Sequence, residues 1–267
     1  MTTSQPRDPA PDAASFPEPE EPAATAFLPP PPRHRWGFGA FLLVEATLLA
    51  SAAFVSVLVG DSAPGPLPMR VVLLGTMLPT MIAAGVAVLI TYVRGNGPVI
   101  DLRLEWRWAD VKTGFRYGCV GLVFTTLGAY LWTQLVGNAN ATSAISALVE
   151  DRRMSVSAAL VMFVYLWLLG PICEEIIYRG LLWGAAEQLQ WRSERWGRIA
   201  AFLLSTAVFA ASHLEPLRTT LLLVIAVPIG LARLVTGRLP GSIVAHQVNN
   251  FLPALTILLG ALGVASF

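Results

Sequence analysis

The chain has 267 residues, 55% of them hydrophobic, with a mean hydropathy of +0.61 and a net charge of +1. Apolar runs at this density exclude a soluble globular domain, and the near-zero charge excludes a broad basic surface for nucleic acid. The composition predicts an all-α fold: a polytopic transmembrane helical bundle of about seven to eight membrane helices in a lipid bilayer.

Residues 1–35 are rich in Pro, Ala and acidic side chains and include Pro29-Pro30-Pro31-Pro32. They lack the basic start and apolar core of a signal peptide. The segment reads as a disordered cytoplasmic tail, leaving 36–267 as one membrane domain. Seven apolar spans follow, at about 37–60, 71–93, 117–136, 156–182, 198–213, 219–235 and 242–264. Most approach the ~20 residues that cross a bilayer. The loop near 101–113 carries Trp106 and Trp108 among charges and fits an interfacial amphipathic helix. The fourth span is too long for a perpendicular helix and contains Gly170-Pro171, where loss of a backbone donor predicts a kink. The fifth and sixth spans are short and interrupted by polar or small residues.

The only cysteines, Cys119 and Cys173, lie in apolar segments, so no disulfide framework is expected. Cys173 adjoins Glu174 and reads first as a small hydrophobe, with a nucleophilic role as the weaker alternative. Lys112 is the only lysine among 18 basic residues, a bias that fits a GC-rich bacterial genome. Arginines concentrate in alternate loops: Arg33 and Arg35; Arg94, Arg103, Arg107 and Arg116; Arg192, Arg195 and Arg198; Arg233 and Arg238. The positive-inside rule then predicts an inner-membrane protein with a cytoplasmic N-terminus.

Against this apolar background, three helical segments carry ionisable groups: Cys173-Glu174-Glu175-Ile176-Ile177-Tyr178-Arg179, Phe209-Ala210-Ala211-Ser212-His213 and His246-Gln247-Val248-Asn249-Asn250. Such groups cost roughly 2.5 to 3.5 kcal/mol each at bilayer depth, so their recurrence in three spans points to shared chemistry. The alternative is polar contact between helices. Residues i and i+4 share a helix face, which pairs Glu175 with Arg179, Phe209 with His213 and His246 with Asn250. Glu174 points about 100° away from Glu175, so the two carboxylates face different surroundings. Glu45, alone in the first span, reads equally as a substrate-path carboxylate or a structural one. Phe209 reads as a core or cavity wall, and Trp167, Tyr178 and Trp183 as packing.

These motifs, together with Gly230-Leu-Ala-Arg-Leu-Val-Thr-Gly-Arg-Leu-Pro-Gly-Ser-Ile-Val-Ala-His246, resemble the CAAX-processing and bacteriocin-processing (CPBP, Abi) intramembrane proteases over roughly residues 155–255. The resemblance implies an intramembrane glutamic (or metallo-) endopeptidase acting on membrane-associated proteins or peptides. It implies that Glu174 activates water with His213 assisting, that His246 and Asn250 stabilise the oxyanion, and that Glu175 and Arg179 orient the site. Hydrolysis needs just such a base and such donors. No metal is favoured; zinc, if present, would take Glu174, His213 and His246, though no His-Glu-x-x-His helix occurs. Two other functions compete: a non-catalytic scaffold or bacteriocin-immunity-like protein with the same fold, and a proton-coupled transporter. In the simplest topology Glu174 and His246 lie near the arginine-rich side, whereas His213 lies about 15 residues away, roughly 22 Å along a helix. The groups then meet only if the fourth and fifth helices tilt or enter the membrane from deeper points.

Overall fold

The computed structural model describes residues 32–59, 68–149 and 154–264. The expected N-terminal tail lies outside them up to residue 31. The described residues form a helical membrane bundle and contain no strand. Its long helices are α1 (Phe38–Val59) and α2 (Met69–Arg94), the short turn α3 (Pro98–Asp101), α4 (Trp108–Val136), α5 (Val156–Glu187), α6 (Glu194–Ser212), α7 (Thr219–Thr236) and α8 (Leu239–Ala261). Two further short helical segments, Asn138–Ala141 and Ala144–Val149, follow α4.

Six helices are long and apolar enough to cross a bilayer: α1, α2, α4, α5, α7 and α8. The fifth predicted span forms as α6, a helix of 19 residues whose first turns carry Glu194, Arg195 and Arg198. Outward-facing Leu42, Phe54, Val57, Leu127 and Leu135 are exposed in the isolated chain. In a bilayer these side chains meet lipid, which is as apolar as they are.

Helix association in lipid therefore depends on close packing and small residues. α1 pairs with α2, and α4 runs along α7 and α8. Ala83, Ala84 and Ala87 of α2 let Phe41 and Val44 of α1 approach Ile177, Tyr178 and Leu181 of α5. On α4, a Cβ at Gly118 would stand 2.6 Å from Val248 Cβ and 2.8 Å from the Ala245 carbonyl oxygen of α8. Only hydrogen fits there, so Gly118 fixes how near α4 comes to the segment bearing His246.

The fourth span is one helix through Gly170-Pro171. A wide turn over Tyr165–Leu169 precedes the proline, with the Gly170 amide reaching back to the Tyr165 carbonyl. A second wide turn spans Ile176–Leu182. Single wide turns of this kind relieve the ladder where proline lacks a donor and recur at functional sites. The predicted interfacial helix over 101–113 does not form. Instead, α3 ends at Asp101, Arg103 adopts a positive φ of 53°, and α4 starts at Trp108. Asp101 is drawn inward: its Oδ2 accepts from Trp36 Nε1 at 3.0 Å, and its Oδ1 from Asn96 Nδ2 at 2.9 Å.

The arginine-bearing loops meet at one end. Arg35 donates its amide to the Arg94 carbonyl, Arg103 pairs with Glu187 at 3.2 Å, and Arg238 pairs with Asp110 at 3.3 Å. Gly237, at φ 67°, ends α7 in the left-handed conformation that glycine adopts without strain. The Leu239 amide then bonds the Arg103 carbonyl and anchors the start of α8.

Candidate active site

Glu175 and Arg179 are both fully buried. Arg179 Nη1 donates to Glu175 Oε1 at 3.0 Å, as their i, i+4 spacing predicts. The wide turn over Ile176–Leu182 lies within this stretch of α5. The guanidinium carbon of Arg179 also sits 4.3 Å from the centre of the Phe209 ring on α6. That contact supplies a cation–π partner to an arginine with few others.

α8 brings His246 to the same carboxylate, with Nδ1 3.0 Å from Glu175 Oε1. A carboxylate held by Arg179 accepts hydrogen bonds, so Nδ1 carries the proton. Nε2 is left facing Glu174, 3.7 Å from its Oε2. This separation is too long for a direct hydrogen bond. The Glu174 side chain is 27% exposed, against 0% for Glu175. The two glutamates thus have the different surroundings that their 100° offset implies.

Phe209 is buried and joins the remaining imidazole to this group. His246 and His213 both pack edge-on to its ring, at 5.6 and 4.8 Å between centroids. His213 caps the exposed end of α6, its Nδ1 2.8 Å from the Phe209 carbonyl oxygen. α5 continues to Glu187, so Glu174 precedes that end by about 13 residues, roughly 20 Å. Tyr178 and Arg179 of α5 and His213 of α6 all pack on the Phe209 ring.

Asn250 is half-buried, with its Nδ2 3.4 Å from the Leu166 carbonyl oxygen in the first wide turn. Its Oδ1 accepts from Asn249 Nδ2 at 3.2 Å. Asn249 is the more buried of the two and takes the Thr125 hydroxyl at 2.6 Å, tying the site to α4. The structure thus gathers Glu174, Glu175, Arg179 and His246 directly, and places Asn250 and His213 at the margins of that group.

Sequence reasoning missed three features. Glu175 holds His246 as well as Arg179, a contact across 71 positions that no local spacing reveals. Asn249 is the anchoring amide. Arg233 of α7, 2% exposed, donates Nε to the Arg179 carbonyl at 3.1 Å; its presence in an apolar helix was the available signal. The Tyr178 hydroxyl lies beside Glu45 and Ser212, which gives Glu45 a polar neighbour. Trp167 packs against Phe163 and Phe251, and Trp183 donates to Glu187, so both are packing residues as expected.

The zinc set considered from sequence does not converge. Glu174 and His246 face each other, and His213 holds the Phe209 carbonyl through Nδ1 and packs on the Phe209 ring. Among the described residues, no three His, Cys, Asp or Glu side chains form a group that would hold a metal ion.

Residues 156–252 match a family model described as Rce1-like, type II CAAX prenyl endopeptidase Rce1-like. The match covers the stretch in which the three motifs resemble the CPBP intramembrane proteases. No curated protein and no solved structure matches the chain.

Proposed function

We propose that this chain is an intramembrane endopeptidase that hydrolyses peptide bonds of membrane-associated proteins or peptides. The family match over 156–252 supports protease chemistry in general. The observation that carries the finer reading is the convergence of Glu174, Glu175, Arg179 and His246 from α5 and α8.

Glu174 is the general base. It is the carboxylate without an arginine partner and with access to the outside of the group. A water between Glu174 Oε2 and His246 Nε2 would sit within reach of both, since 3.7 Å separates the two atoms. Glu174 takes a proton from this water as its oxygen attacks the scissile carbonyl. The oxyanion that forms needs donors. Asn250 Nδ2 supplies one, and His246 Nε2 supplies another when the imidazole is doubly protonated. Glu174 then returns the proton to the leaving amine as the carbon–nitrogen bond breaks. Glu175 and Arg179 position His246 and touch no reacting atom. His213 assists by position only, packing on the Phe209 ring against which His246 also rests.

The reading is tested by comparing membrane proteomes of cells carrying the wild-type chain and the Glu174→Gln variant. Substrates are expected to yield new C-terminal fragments only with the wild type. Identical fragment patterns at equal protein levels would contradict it.

A further inference from the structure

A cavity of about 570 Å³ opens at the arginine-rich end of the bundle, away from Glu174. The Arg33-His34 segment, the turn at Asp101 and Arg103, the end of α5 and Arg233 of α7 line it. A neighbouring cleft shares Arg103 and Glu187 and adds Arg198.

The acidic groups here are already committed. Asp101 accepts from the Trp36 indole and from both the backbone and the side chain of Asn96. Glu187 accepts from Arg103 Nη2 at 3.2 Å and from Trp183 Nε1 at 2.8 Å. Glu187 stands among the guanidinium groups of Arg103, Arg198 and Arg233; Glu175 also acts on the charge of Arg233, and Glu194 on that of Arg198. Arg233 is 2% exposed, and its Nη1 has no hydrogen-bond partner among the described residues. Its Nε donates to the Arg179 carbonyl oxygen at 3.1 Å, and its guanidinium carbon lies 5.1 Å from the centre of the Trp183 ring. A buried guanidinium whose Nη1 donor is unused thus lines the cavity, and an unpartnered buried donor is costly.

We infer that this cavity binds the phosphate group of an anionic phospholipid. Guanidinium forks match phosphate oxygens in geometry and charge. Glu187 and Arg233 stand at or near the ends of membrane-length helices, so the cavity lies at headgroup depth. Basic pockets between helices at that depth suit anionic headgroups, with each basic residue near the surface worth about 1 kcal/mol, or roughly fivefold in affinity. Trp191, also in the lining, adds an indole of the kind that favours the interface. Inorganic phosphate offers the same oxygens without the acyl chains.

The test is native mass spectrometry of the full chain in detergent, titrated separately with phosphatidylglycerol, phosphatidylcholine and inorganic phosphate. One phosphatidylglycerol is expected to bind at least tenfold more tightly than phosphatidylcholine, whose choline cation the arginines repel. Arg33→Gln, at the exposed rim, should weaken that binding about fivefold. Arg233→Gln should weaken it tenfold or more, because it removes a charge-assisted donor. Unchanged helicity would show that each variant folds; if Arg233→Gln does not fold, Arg33→Gln decides alone. Phosphatidylglycerol binding that neither variant weakens would overturn the site. Inorganic phosphate binding with the same arginine dependence, but with no lipid preference, would overturn the lipid as its source.

Discussion

His246 Nδ1 and Glu175 Oε1 stand 3.0 Å apart, joining two helices whose motifs are separated by 71 positions. The same oxygen also accepts from Arg179 at 3.0 Å. Glu175 is thereby the residue through which the arginine and the imidazole are held in one orientation.

Glu175→Gln should destabilise the protein. It leaves Arg179 buried without its counter-charge, and breaking a buried pair in this way costs about 3–5 kcal/mol. A lowered unfolding midpoint and reduced membrane yield are expected. A double-mutant cycle with Arg179→Met should show strong coupling, with the double variant less damaged than the two single effects predict together. Additive effects would mean that the pair contributes little.

Gly118→Val should disturb the site from outside it. The new side chain would collide with Val248 and the Ala245 carbonyl on α8, where even a Cβ has only 2.6 Å. Overpacking of this kind costs about 1–3 kcal/mol. Because His246 lies between those two positions, turnover should fall along with the unfolding midpoint. Full activity in a stable Gly118→Val protein would show that α4 does not set the position of α8.

Trp36 closes the arginine-rich end, buried at 3% exposure, bonded to Asp101 and stacked 3.4 Å from the His34 ring. Trp36→Phe should keep the stack and lose about 1 kcal/mol with the indole hydrogen bond. Trp36→Ala should lose about 3–5 kcal/mol. Unfolding midpoints of the two variants separate packing from hydrogen bonding.

Burial lowers the His34 pKa below its ordinary 6.5, outweighing the Trp36 carbonyl and the nearby charges of Asp101 and Glu187, which act the other way. The unfolded chain therefore binds this proton at a higher pH than the folded one. Stability should fall as pH drops below 6.5 and level off once the folded imidazole titrates. His34→Gln should flatten that segment of the stability–pH curve. An unchanged slope would assign the dependence to other groups.

Particular residues show what sequence could reveal. The Glu175–Arg179 pair was legible because helical periodicity alone puts i and i+4 on one face. The difference between Glu174 and Glu175 was legible for the same reason. The hold of Glu175 on His246 was not, because it depends on how closely α8 approaches α5, which packing against Gly118 and its neighbours governs. Passage of α5 through Gly170-Pro171 was legible as one overlong span, but the wide turn over Tyr165–Leu169 was hidden. A regular 3.6-residue pattern predicts a kink at proline and contains no sign of the wide turn that absorbs it. The resemblance singled out Asn250, yet Asn249 is the amide that the bundle buries and bonds to Thr125.

The most direct test of the account is the turnover of an identified substrate by purified Glu174→Gln protein. Removal of a general base typically lowers the rate by about 10²–10⁴-fold. A loss of that size is predicted, with the unfolding midpoint and helicity of the wild type retained because Glu174 is partly exposed and makes no ion pair with an arginine. Turnover within about threefold of wild type would contradict the assignment of Glu174 as the base.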